Sequence, residues 1–198
     1  MPLIFETQTE TAKKIGVWEI TEPESFFLNI LGVEADTRLS QKRRIEKICA
    51  SHLLNVLTGE NFYNSLTNDE NGKPILLNSS YSVSFSHSRD KVACIVDKLG
   101  HPVGIDIEEV RNRILNLSHK FISTSDSSPL EGVEHAHLIW GAKEVLYKIY
   151  AKKELDFKAH LKIEYQDIIR GFISKNGYRN SFNLNYHFLN NFILVWNI

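Results

Sequence analysis

The 198-residue sequence predicts an α+β protein of two similar halves, each a long helix packed on a small antiparallel sheet. Three observations carry this expectation. Two stretches, 40–57 and 135–153, place apolar residues at helical spacing; the segments between and after them alternate apolar with polar residues; and turn dipeptides separate those segments. The order is helix, hairpin, strand, helix, strands, with a natural boundary near Gly100 that divides the chain into 1–100 and 101–198.

In the first helix Ile45, Ile48, Cys49, Leu53, Val56 and Leu57 form one apolar stripe, and Gly59 is its stop. Lys42, Arg43, Arg44 and Lys47 crowd its first turns, where cations oppose the helix dipole, so they form either a solvated basic face or a phosphate grip. After an Asn71-Gly72 turn, Tyr81, Val83 and Phe85 alternate with Ser82, Ser84 and Ser86, predicting a half-buried strand paired in a hairpin with VACIV. His87 stands exposed where the first of these strands ends.

In VGIDIEEV, 103–110, strand alternation sends Val103, Ile105 and Ile107 to the core and Gly104, Asp106 and Glu108 to the other face. Two carboxylates side by side repel unless a cation lies between them. They are therefore either a harmless solvent edge or an oxygen cradle for Mg²⁺, with Gly104 leaving room for a close ligand. The Ser-rich segment 123–132 is a loop. On the second helix Trp140, Glu144 and Lys148 form one ridge, with Lys143 and Tyr147 beside them: a salt-bridged ridge, or a third carboxylate flanked by phosphate-binding ammonium groups. LKIEY, GFIS, FNLNYHF and FILVW read as strands, with a hairpin at Lys175-Asn176-Gly177.

Composition narrows the function classes. A net charge of −1 argues against a general nucleic-acid coat, and no apolar run is long enough to span a bilayer. Cys49 and Cys94, each among apolar residues, predict buried thiols in a reducing, cytoplasmic setting. His135 and His137 are expected at the surface and not as metal ligands.

GIDIE at 104–108 followed by WGAKEVLYK at 140–148 resembles the signature of the 4'-phosphopantetheinyl transferases. GKP at 72–74, SFSHS at 84–88, the KRR-x-E start of the first helix and ELDFKAHLKI are similar to segments of that superfamily's longer, surfactin-type branch, so the resemblance runs from about 38 to 165. It implies the fold of that branch, a pseudo-dimer within one monomeric chain. It also implies transfer of the 4'-phosphopantetheine arm of coenzyme A to a serine of an apo acyl or peptidyl carrier protein, releasing adenosine 3',5'-bisphosphate. On this resemblance Asp106, Glu108 and Glu144 hold Mg²⁺, and Glu144 is ligand, base or both. Lys143 and Lys148 balance phosphate charge. Arg43 or Arg44, with Lys73, Ser86 and His87, binds the nucleotide end. No nucleic acid or membrane partner is implied. A non-catalytic binder of coenzyme A or of a carrier is the alternative. Two departures stand out: Gly141 replaces a common Ser or Thr, and the span from Asp106 to Glu144 is short, trimming the loop before the catalytic helix.

Overall fold

The computed structural model describes residues 2–152 and 154–198. It is α+β with antiparallel sheets. The strands are β1 (Leu3–Gln8), β2 (Lys14–Glu19), β3 (Leu66–Asn68), β4 (Pro74–Leu76), β5 (Ser82–Ser88), β6 (Lys91–Asp97), β7 (Ile105–Glu109), β8 (Leu161–Tyr165), β9 (Ile169–Lys175), β10 (Tyr178–Leu189) and β11 (Phe192–Asn197). The helices are α1 (Glu24–Leu31), α2 (Gln41–Thr58) and α3 (Gly132–Tyr150). A four-stranded sheet runs β1-β2-β6-β5, a five-stranded sheet β7-β11-β10-β9-β8, and β3 pairs with β4 alone.

Strand alternation explains the layering. On β6, Val92, Cys94 and Val96 face α2 with Leu53, Leu54 and Leu57. The intervening Ala93 and Ile95 meet Ile105 and Ile107 of the second sheet and Val103 just before it, with Ile15, Val17, Leu194 and Trp196. On β11, Ile193 and Val195 turn the other way, toward Leu138, Ala142, Val145 and Leu146 of α3. The stack is thus α2, sheet, sheet, α3. Strands in its middle are covered on both faces, which is why VACIV and FILVW read as unbroken apolar runs. Each fully buried Leu or Ile contributes about 1.5–3 kcal/mol, so this central layer fixes the two sheets against each other. Both cysteines are free and buried, and burial pushes their thiols well above the usual range. Among the described residues no helix is long and apolar enough to cross a membrane.

Some elements differ from expectation. β1, β2 and α1 are absent from the sequence reading; KIGVWE is buried almost throughout between α2 and the second sheet and so lacks clean alternation. β5 continues through His87 and Ser88, and Arg89, at φ 58°, makes the turn. α3 starts at Gly132 and ends at Tyr150, where Ala151 takes a left-handed cap at φ 54°, a stop without a glycine to announce it. The Lys175-Asn176-Gly177 turn forms with φ of 50° at Asn176 and 82° at Gly177, the doubly left-handed pattern of a tight hairpin. Gly104 serves a purpose other than ligand room: a Cβ there would lie 2.4 Å from the carbonyl oxygen of Val145, so α3 itself packs against it.

Candidate functional site

β7 carries Asp106 and Glu108 on the face toward α3, and α3 presents Glu144 and Lys148 back to them. β5 lies alongside β7 and delivers Ser86 and His87. Asp106 is 4% exposed. Its Oδ1 accepts hydrogen bonds from Ser86 Oγ at 2.9 Å and Lys148 Nζ at 2.8 Å. Lys148 Nζ also donates to the carbonyl of Ile105 at 2.7 Å. Asp106 Oδ2 is buried and has no hydrogen-bond partner among the described residues.

Burial and then the neighbouring Asp106 charge push both Glu108 and Glu144 up to about 7, against the pull of Lys148. Trp140 stands beside Glu108 and draws its value down, a polar role for the ridge aromatic that its apolar character hides in the sequence. Three acids crowded beside one lysine, with a bare buried oxygen, have the character of a hard-cation site short of positive charge. Among the described residues no group of three or more His, Cys, Asp or Glu side chains forms a ready cage. The donors fit a cation that keeps water or substrate oxygens in its shell, as Mg²⁺ does.

Three contiguous hollows border this cluster. One of about 560 Å³ runs from Glu108 and Trp140 past His87 to Arg89, Arg111 and Arg113. A second, also about 560 Å³, is lined by Arg43, Lys47, Pro74, Phe85, Ser86 and His87. A third, about 230 Å³, is lined by Lys73, Phe85, Tyr147, Lys148 and Lys152. Shared residues, His87 and then Phe85 with Pro74, join them into one trough.

The structure separates the two arginines. Arg43 Nη1 donates to His87 Nε2 at 2.8 Å and Glu46 Oε2 at 3.2 Å, at the edge of the trough. Arg44 turns away: its Nε and Nη2 grip both oxygens of Glu24 on α1, at 2.6 and 3.0 Å, and Nη1 donates to the carbonyl of Leu39. Glu46, 6% exposed, is a residue the sequence reading missed; it seats Arg43 and His87, and the KRR-x-E spacing contained it. Burial holds His87 below its usual range, so the ring is neutral and accepts from Arg43.

Lys143 also departs from expectation. It is 0% exposed, and Nζ donates to Asp126 Oδ2 at 2.6 Å and to the carbonyls of Phe121 and Phe157 at 2.8 and 2.9 Å. All three protons are committed, so none reaches the trough; its neighbour Glu144 does, because one residue along a helix rotates the side chain by about 100°. His137 is likewise buried, not at the surface: Nε2 accepts from the backbone N–H of Arg111 at 2.9 Å and pins the chain leaving β7. His135 bonds Ser128 Oγ at 2.7 Å.

Comparison with known proteins bears out the resemblance to the 4'-phosphopantetheinyl transferase superfamily. The chain is 36% identical over 89 residues to 4'-phosphopantetheinyl transferase psf-1 of Bacillus pumilus. The match covers 41% of this chain and 37% of that relative, so it spans little more than a third of the relative's length. No protein-family model matches the chain.

Proposed function

We propose that this chain is a 4'-phosphopantetheinyl transferase that moves the phosphopantetheine arm of coenzyme A to a serine of an apo carrier protein and releases adenosine 3',5'-bisphosphate. The observation that carries the reading is the convergence of Asp106, Glu108, Glu144 and Lys148 at one end of a trough whose other walls hold Arg43, Lys73 and His87. The match to a relative named for this reaction supports it. In the transfer the serine oxygen bonds to the β-phosphorus and the bond to the departing bisphosphate breaks.

Asp106, Glu108 and Glu144 would hold Mg²⁺, which when bound supplies positive charge to the pyrophosphate. Lys148 offers a proton donor to the same phosphates. Ser86 orients Asp106 through Oδ1. Glu144 either completes the ligand set of that cation or, left free of it, takes the serine proton as general base. Arg43 and Lys73 face the 3'-phosphate and adenosine end, with His87 holding the Arg43 guanidinium in place. The chain works as a monomer in the cytoplasm, its two halves paired as a pseudo-dimer, since trough residues come from both halves of one chain.

The test is to incubate purified protein with coenzyme A, Mg²⁺ and an apo carrier and to weigh the carrier by mass spectrometry. A phosphopantetheine mass increment on the carrier serine is expected, and it should vanish with Asp106→Asn. Tight binding of coenzyme A with no mass gain on any of several apo acyl and peptidyl carriers would overturn the transferase reading in favour of a binding protein.

A further inference from the structure

Asp106 and Val195 are direct cross-strand partners of β7 and β11. Gly141 of α3 lies over this pair: a Cβ at 141 would stand 2.9 Å from Val195 Cγ2 and 3.6 Å from Asp106 Oδ2. That oxygen is the buried one without a partner among the described residues. Glycine is a poor helix former, so its place inside α3 needs a reason. At Gly104 and Gly171 the nearest neighbours of an added Cβ are a backbone carbonyl and a leucine side chain, which is packing alone. At Gly141 they are a valine methyl and the free acid oxygen.

We propose that Gly141 is a positioning residue for the cation, size-matched to Val195, and that the pair sets the approach of α3 to β7 while keeping Asp106 Oδ2 open. The proposal rests on the reading of the acid cluster as the cation site. Ser86 and Lys148 already occupy Oδ1, so Oδ2 is the oxygen left to give. Mg²⁺ sits about 2.1 Å from its oxygen ligands and retains water beyond them. A carbon at 141 would stand in contact with Oδ2 at 3.6 Å, walling one side of the approach to it, and its 2.9 Å approach to Val195 Cγ2 pushes α3, with Glu144 and Lys148, away from β7. A side chain at 141 therefore requires a residue smaller than Val at 195.

The test is binding of Mn²⁺, used as a paramagnetic probe of the site, without coenzyme A. Free Mn²⁺ is measured by electron paramagnetic resonance for wild type, Asp106→Asn, Gly141→Ala, Val195→Ala and the double variant Gly141→Ala/Val195→Ala, with melting temperatures alongside. Gly141→Ala is expected to bind about ten-fold more weakly and the double variant to return within about three-fold of wild type, the non-additivity of a contacting pair. If Asp106→Asn binds as wild type does, the cation-site reading fails and this proposal with it. If Asp106→Asn loses binding while Gly141→Ala keeps it, whatever its melting temperature, Gly141 only packs the helix and the proposal alone is overturned. A double variant that melts like wild type yet binds as weakly as Gly141→Ala also overturns it. Should Gly141→Ala not fold, the double variant decides: binding near wild type supports the matched pair, and lost binding refutes it.

Discussion

Lys148 Nζ lies 2.8 Å from Asp106 Oδ1, so one ammonium group ties the last turn of α3 to the most buried carboxylate of β7. Both partners are largely withdrawn from water, and the other acids of the cluster lean on the same charge.

Lys148→Ala should therefore leave the acids uncompensated. Without divalent cation, urea unfolding at pH 8 is expected to show a loss of about 3 kcal/mol, the usual effect of orphaning one partner of a buried pair. Mg²⁺ should then raise the melting temperature more in the variant than in wild type, because it supplies the missing charge. An equal Mg²⁺ shift in the two proteins would place the cation elsewhere.

Arg43 and Arg44 are adjacent in sequence and opposed in space. Arg43→Ala is expected to weaken coenzyme A by about ten-fold or more while barely changing dephospho-coenzyme A, as befits a charge-assisted phosphate contact. Arg44→Ala should leave both affinities unchanged and lower the melting temperature, since it unties α2 from Glu24 of α1. Isothermal calorimetry with the two nucleotides reads the difference, and a reversed pattern would return Arg44 to the site.

Lys143 and Asp126 are both fully buried. Lys143→Met should cost about 3–5 kcal/mol by leaving a buried carboxylate unpaired. Adding Asp126→Asn, which removes the unpaired charge and keeps an acceptor for one of the two N–H groups, of Ser123 and Ile163, that Asp126 now accepts from on separate oxygens, should recover part of the loss. Coenzyme A affinity of the folded variants should stay at the wild-type value; a ten-fold drop would argue that Lys143 serves the substrate after all.

His52 is packed edge-on against Trp18 and near Phe26 and Phe27. Burial holds it below its usual value of 6.5, opposed by Glu22. Its folded value is depressed, so the unfolded chain binds the extra proton. The stability His52 contributes is present above about pH 6.5 and is lost as pH falls toward the folded value. Urea midpoints from pH 7.5 down to 5 should fall more steeply for wild type than for His52→Phe. Glu108 and Glu144 titrate in both proteins alike, so they cancel in the comparison. Parallel curves would show that His52 does not titrate on unfolding in this range.

Much of the site was legible in the chain because its chemistry is local. Strand alternation alone put Asp106 and Glu108 on one face, and four-residue spacing put Glu144 and Lys148 on one ridge. The two long helices and most hairpins followed from period and turn residues. Gly104 was misread because a close approach looks the same in sequence whether a ligand or a helix backbone makes it.

Sequence by itself determined the periodicities, the turn at Asn176-Gly177 and the pairing of carboxylates along one strand, since each depends on neighbours within a few residues. Only tertiary structure decided which arginine faces the trough, that Lys143 is spent on Asp126 and two carbonyls, and that Glu46 and His137 are buried. The physical reason is rotation and partnership. One residue along a helix turns a side chain by about 100°, and whether a cation is free depends on acids such as Glu24 and Asp126, set by the chain at 20 and 17 residues' remove.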